Sequence, residues 1–418
     1  MSIKVLHISI ADSQGGAAIA TARLNHLMNT HHLLNSKMLV LSKLSLDKEV
    51  FEVNYYLSTK ARIKNFINNI FNSFKKSHGL ISIPFFGNDL SSNKLILESD
   101  VIYIHWINNG LLSLNGLRKI AKMNKPIYLF CHDMWHFTGV CHQSNGCTDF
   151  QLNCNNCHFF ENQFIKSIVE KSFQRKKEIY SEFENINLIL PSIDFYRKAC
   201  KSKIIDNSRV HKISNIIDIE VFKPKKVIIK SKKIKILYGA LSAKTNPYKG
   251  WNDFLFFAEK ITEKYNNQVE FSIFGYDFDE SEIKQIKFDF INHGVINEEK
   301  KIIKIYQSSD VFFFPSSQES FGQTLIESMS CGLIPLSYNV GVAPDVIINS
   351  INGFIVQAGD KNALTKSFDS LIKMDLNKLK LQSRNTIVDL FSDNKIVKSH
   401  IELIKSSKFL KYKFDEQV

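Results

Sequence analysis

Long apolar runs are missing from this chain. None approaches the roughly 18 residues that a helix needs to cross a bilayer, so a membrane-spanning protein is not expected. A leader segment is not expected either. Met1 to Ile10 alternates like a strand, with no basic stretch ahead of an apolar one and no cleavage site, so a cytoplasmic location is expected rather than secretion. No Lys/Arg block of five or more occurs, although 54 basic against 41 acidic residues leave a net charge of +13. Lysine is spread over both halves, as a compositional bias would spread it, and charge alone does not decide the function class. What is present is ordinary for a folded chain: 44% apolar and 23% charged residues over a length of 418. That length is too great for one hydrophobic core and makes two domains the default.

Strand-like apolar runs alternate with amphipathic stretches long enough for helices. In the first half they fall at Lys4 to Ile10, Lys37 to Leu41, Val101 to His105, Ile127 to Cys131 and Leu188 to Leu190. The second half repeats the rhythm at Ile234 to Gly239, Glu270 to Gly275, Val311 to Phe314, Leu333 to Leu336 and Phe354 to Val356. Such alternation predicts an α/β fold with parallel sheets. The rhythm breaks in the Lys-rich stretch before Ile234. Residues 1–215 are therefore expected to form one Rossmann-like domain, 216–233 a linker and 234–392 a second domain, with 393–418 a helical tail packing toward the first. Ligands of such sheets sit outside the carboxyl ends of strands, so the loops there carry the candidate residues.

The sharpest signal is Val311 to Gly332, VFFFPSSQESFGQTLIESMSCG. A buried strand ends at Pro315, a loop carries Glu319, and a helix is expected from about Phe321, capped by Ser320. The amides of Phe321, Gly322, Gln323 and Thr324, with the helix dipole, suit a diphosphate. Glu327 further along the helix suits a ribose diol, and Glu319 a sugar hydroxyl. The competing reading is a capped helix with solvated glutamates.

With seven residues between Glu319 and Glu327, Pro-Ser before them, Phe-Gly between them and Ser-Cys-Gly after them, this segment resembles the retaining glycosyltransferases of family 4. The resemblance implies the GT-B fold, two doubly wound Rossmann-like domains facing each other across a cleft. It extends to Tyr248-Lys249-Gly250, where it implies that Lys249 binds the donor's phosphates, and it implies that no divalent metal is obligatory. Two departures stand out. The arginine that many members carry near residues 239–241 is missing, with Lys244 as a substitute, and only Gly341 of an expected glycine pair is present, followed by Val342.

In the first domain, Gly15-Gly16 after the first strand permits a tight turn, and the family places its glycine-rich loop there; Gly16 is counted with the donor-binding residues. His132 follows a buried strand, and the resemblance makes it, with Glu319, a catalytic candidate in contact with the transferred sugar. Asp133 either orients His132 or caps the next turn. Within the insertion 141–158, Cys141, Cys147, Cys154 and Cys157 lie close enough in sequence to hold a structural zinc, with free thiols and disulfides as the alternatives. A subset of family-4-like enzymes shows a similar cluster. Finally, residues 60–76 place Ile63, Phe66, Ile67, Ile70, Phe71 and Phe74 on one helical face with basic residues at the ends. Packing on the first domain's sheet is the leading expectation there. An anionic membrane at the inner face of the cell envelope is the second.

With these residues, the resemblance implies a sugar-nucleotide-dependent glycosyltransferase, and the resemblance alone implies that it is retaining. Its donor would be a nucleotide-diphosphate sugar, its acceptor a saccharide or polyprenyl-linked glycan, and its pathway cell-surface polysaccharide assembly. A GT-B-fold sugar-nucleotide epimerase is the alternative. A zinc-containing nucleic-acid-binding protein is disfavoured, because Cys141 to His158 contains no Lys or Arg.

Overall fold

The computed structural model describes residues 2–75, 79–225 and 233–410. Two compact units emerge, one from residues 1–216 with 394–418 and the other from 217–393. In the first, seven strands lie in the order β3-β2-β1-β4-β5-β6-β7: β1 (Ile3–Ala11), β2 (Leu34–Ser42), β3 (Val50–Glu52), β4 (Val101–Ile104), β5 (Ile127–Phe130), β6 (Ile186–Leu190) and β7 (Val210–Lys212). In the second, six strands lie in the order β10-β9-β8-β11-β12-β13: β8 (Ile234–Gly239), β9 (Val269–Phe274), β10 (Phe290–Asn292), β11 (Val311–Phe314), β12 (Ile334–Tyr338) and β13 (Phe354–Val356). Every neighbouring pair in both sheets is parallel. The fold is α/β with two Rossmann-like parallel sheets.

Burial explains why the central strands read as unbroken apolar runs. All four residues of β4, β5 and β11 are buried, because helices cover both faces of a parallel sheet. Three edge strands, β3, β7 and β10, have no counterpart in the sequence expectations. Each is three residues long with at most one buried side chain, too short to carry a period.

Each sheet reverses its strand order beside its first strand, between β1 and β4 and between β8 and β11. A crevice forms at such a reversal, because the connecting loops on either side leave in opposite directions. The expected linker, 216–233, includes residues 226–232, which lie outside the described residues. Its earlier part is tied into the second unit. Ile217 and Phe222 are buried there, and the Arg384 guanidinium donates to the carbonyls of Ile219 and Phe222, at 2.8 Å each. The helix Asp393–Lys405 instead packs in the first unit, burying Ile396, Val397, Ile401 and Ile404 beside Tyr103 and Phe130. Residues 411–418 of the expected tail lie outside the described residues.

Candidate active site

Two loops of the second unit leave the carboxyl ends of β8 and β11 and meet at the reversal. The Tyr238 hydroxyl, at the end of β8, donates to the carbonyls of Ala243 (3.0 Å) and Lys249 (3.1 Å) and so shapes the first loop. Gly250 follows at φ +73°, and a Cβ there would lie 2.1 Å from the Pro315 carbonyl oxygen. Only glycine lets the chain pass that close to the end of β11. The Ser317 amide donates to the Tyr248 carbonyl at 2.9 Å, stitching the two loops together. The result places Lys249 Nζ 2.5 Å from Glu319 Oε1, a mostly buried ion pair at the crevice.

The helix after Glu319 runs Gln323–Ser330. Its N-cap is Gly322, at φ +104°, so the helix starts two residues later than the expected Phe321. A left-handed glycine turns the chain sharply into the helix, and the amides of Gln323 and Thr324 begin it at the positive end of its dipole. Gly341 braces this turn. At φ +55°, a Cβ on it would lie 2.5 Å from the Phe321 carbonyl oxygen and 2.8 Å from Glu319 Cβ. Its neighbour Val342 turns its side chain into the core and its amide to the Phe321 carbonyl at 2.7 Å. Glu327, one turn beyond Gln323, is only 8% exposed and accepts from Nε2 of the Gln323 side chain at 3.3 Å. Lys244, the substitute for the missing arginine, is committed elsewhere: it pairs with Glu282 of the helix Glu280–Lys284. Lys249, Glu319, the Phe321–Thr324 turn and Glu327 thus share one loop–helix corner of the second unit.

In the first unit, Gly15 rather than Gly16 adopts the conformation reserved for glycine, φ +87°, and N-caps the helix Gly16–Asn29. No atom lies within 4 Å of where a Cβ would project at either position. His132 sits half-buried just past β5, its ring stacked on Phe130 and His105. Burial holds its pKa down to about 4, so the imidazole is neutral. Asp133 does not orient His132. One carboxylate oxygen accepts from the Trp135 amide (2.9 Å) and caps the turn Met134–Phe137; the other accepts from Trp106 Nε1 (2.8 Å) and lies 2.5 Å from His142 Nδ1. Burial works against the Asp133 charge, but His142 and the Trp135 amide outweigh it and hold the carboxyl below its ordinary value. The fully buried Lys176 donates to the carbonyls of Trp135, Thr138 and Gly139 and lies 3.6 Å over the Trp135 ring, fixing the segment after His132 to the helix Gln163–Glu182.

The zinc expectation is not supported. Cys141, Cys147, Cys154 and Cys157 line one cavity of about 10 Å³, room for a single water at most. Among the described residues, however, no group of three or more His, Cys, Asp or Glu side chains is placed to hold a metal ion. Cys141, Cys154 and Cys157 belong to the apolar core of the unit, and burial pushes the Cys141 thiol up to about 12 and Cys157 to about 11. Hydrogen bonds from amides to two of the sulfurs, Gly139 to Cys154 (3.3 Å) and Asp149 to Cys147 (3.4 Å), complete a packed loop of thiols.

Sequence reasoning missed His105 and His7. Nδ1 of His7 in β1 lies 2.9 Å from Nε2 of His105, and Nδ1 of His105 lies 2.9 Å from Nε2 of His132. His105 follows β4 as His132 follows β5, so the same strand-end rule pointed to both. His7, inside a strand, gave no such signal.

Residues 218–387 match the family model for glycosyl transferases group 1. They form a glycosyltransferase group 1 domain. A 41.2 kDa protein of the Klebsiella pneumoniae cps region is 23% identical over 243 residues, covering 55% of this chain and 66% of that protein. The UDP-Gal:alpha-D-GlcNAc-diphosphoundecaprenol alpha-1,3-galactosyltransferase of Escherichia coli is 26% identical over 218 residues, covering 46% of this chain and 53% of that enzyme. The chain thus spans about two thirds of the first relative and about half of the second. The crystal structure of Anabaena HepE with UDP and glucose superposes with a TM-score of 0.63 at 13% identity, covering 97% of this chain and all of that one. At that identity the likeness speaks for the fold, which is GT-B. The group 1 domain contains the whole Lys249–Glu319–Glu327 corner.

Proposed function

We propose that the protein is a retaining, metal-independent glycosyltransferase that moves a sugar from a nucleotide-diphosphate donor to a saccharide or polyprenyl-linked glycan in cell-surface polysaccharide assembly. The observation that carries this reading is the Lys249–Glu319 ion pair, set 2.5 Å apart at the strand-order reversal beside the start of the helix Gln323–Ser330. Each charge holds the other in place. A diphosphate brings competing negative charge to Lys249 and to the amides of Phe321 to Thr324, and these donors stabilise the leaving diphosphate without a metal. Glu319, relieved of its cation, can then accept from hydroxyls of the sugar ring. Glu327 takes the ribose diol. His132, neutral near pH 7, offers a hydrogen bond to the transferred sugar without acting as a strong base.

The acceptor class rests on the cps-region and diphosphoundecaprenol-directed relatives. An inner-face membrane station fits the helix Tyr55–Ser73, whose outer side exposes Ile63 (61%), Phe66 (68%) and Ile70 (45%), continued by Phe74 (59%).

Glu327→Ala is expected to weaken donor binding in isothermal titration by roughly ten- to a hundredfold, the worth of hydrogen bonds to a charged group. Unchanged affinity would remove Glu327 from the site. Product analysis by NMR with and without acceptor separates transfer from epimerisation, and the anomeric configuration of the product decides retention.

A further inference from the structure

Three histidines of the first unit form a hydrogen-bonded row that runs from the interior of the sheet to its carboxyl edge. His7 lies within β1, His105 just past β4 and His132 just past β5, each ring 2.9 Å from the next. His7 and His105 are buried, whereas His132 is half-buried at the open end. Around them pack Tyr103, Phe130, His136 and His400.

A neutral imidazole carries one ring proton, so a row of three can be ordered in only two ways, and the partners of each nitrogen select between them. If His132 donated through Nε2 to His105, and His105 through Nε2 to His7, the proton of His7 would sit on its Nε2. That atom is buried with no partner, and an orphaned N–H in a dry interior costs the full desolvation of a donor. In the opposite order His7 Nδ1–H donates to His105 Nε2, and His105 Nδ1–H donates to His132 Nε2. The only unpaired atom at the buried end is then a bare lone pair, the less costly orphan. His136 adds to the frame: its Nε2 lies 3.2 Å from the His105 carbonyl oxygen and donates to it, holding the strand end that carries the row.

We infer that His105, backed by His7, is a positioning residue that fixes the tautomer of His132, so that His132 presents Nδ1–H outward as a hydrogen-bond donor to a hydroxyl of the bound sugar. The burial that keeps His7, His105 and His132 neutral allows the row to persist at neutral pH. This inference rests on the glycosyl-transfer reading for its use, but the tautomer itself can be measured without any ligand.

The test is ring-nitrogen NMR on the full chain labelled with 15N-histidine at pH 7.5, with His132→Phe to assign the signal. The expected result is a protonated Nδ1 and a bare Nε2 on His132 in the wild type. His105→Phe should move the His132 proton to Nε2 and lower kcat/KM for transfer by about tenfold, the worth of one hydrogen bond. His105→Asn, whose amide can still donate, should restore both. A wild-type His132 protonated on Nε2, or a tautomer unmoved in His105→Phe, overturns the inference even if transfer is intact. If His105→Phe fails to fold, the wild-type spectrum alone decides. The expected tautomer in a protein that transfers no sugar would overturn the functional reading instead and leave the row standing.

Discussion

A methyl group at position 250 would meet the Pro315 carbonyl oxygen at 2.1 Å, on a backbone already at φ +73°. Gly250→Ala is therefore expected to destabilise the second unit by about 2 kcal/mol or more, the sum of left-handed strain and a clash that only backbone movement relieves. Lys249 would shift with it. The expected outcome is a lower melting temperature together with weaker donor binding; an alanine variant that melts like the wild type would contradict the packing described here. Single residues also mark how far local reading reaches. Lys249 became a candidate through the resemblance at Tyr248-Lys249-Gly250, and its place after a strand supported that, because ligand-binding loops follow strand ends. Its partner could not be read so, because the Lys249–Glu319 contact joins residues 70 positions apart. Ser320 marked the approach to a helix because serine favours that place; the left-handed turn at Gly322, which sets the first helical residue at Gln323, left no such mark. The four cysteines were legible as a cluster but not as a set of ligands, since their placement depends on how the loop folds over the apolar core.

Among the elements, the helix Tyr55–Ser73 departs most from expectation. Its inner side is partly polar: Asn68 accepts from the Ile83 amide at 2.8 Å, and Asn72 donates to the Ile81 carbonyl at 3.2 Å. Phe71 and Leu57 pack against the core, while Ile63, Phe66 and Ile70 face outward, with Lys60 and Arg62 exposed beside them. The helical period was legible in the sequence. Which side faced the protein was not, because two asparagines occupy places where apolar residues are expected. Lys76, at the end of the expected helix, lies outside the described residues. Flotation with anionic vesicles is expected to carry the wild-type protein upward. Ile63→Ser with Phe66→Ser removes roughly 2 kcal/mol of apolar burial per side chain and should leave the protein at the bottom. A wild-type protein that stays down with anionic vesicles would contradict the membrane role. The central strands, by contrast, were readable nearly to the residue, since burial on both faces makes them apolar throughout.

For the molecule as a whole, the concentration of buried imidazoles in the first unit sets its response to acid. Burial lowers His7 and His400 to about 3, His132 and His136 to about 4, and His105 well below its ordinary value of 6.5. Between pH 6.5 and about 4 the unfolded chain therefore binds more protons than the folded one, and stability must fall as pH falls through that window. Each fully buried imidazole contributes about 1.4 kcal/mol per pH unit there. The melting temperature is expected to hold from pH 8 to 7 and to drop steeply from 6.5 to 5; a flat profile across that range would mean that the fold takes up as many protons as the unfolded chain, so that burial does not hold the imidazoles neutral. The α/β class could be read from the alternation of elements, and the residues of the Lys249–Glu319–Glu327 corner from one motif and its resemblance. The return of the helix Asp393–Lys405 to the first unit, and the histidine row, come from tertiary packing that no local pattern records.

The central claim is that the corner built by Lys249, Glu319 and the helix Gln323–Ser330 grips a diphosphate. Calorimetric titration of wild type and Lys249→Met, without added metal, tests it most directly, using the nucleoside diphosphate that most raises the wild-type melting temperature. The account predicts binding by the wild type and an affinity roughly ten- to a hundredfold lower in the variant, the loss of one charge-assisted contact. Equal affinities in the two proteins would contradict it.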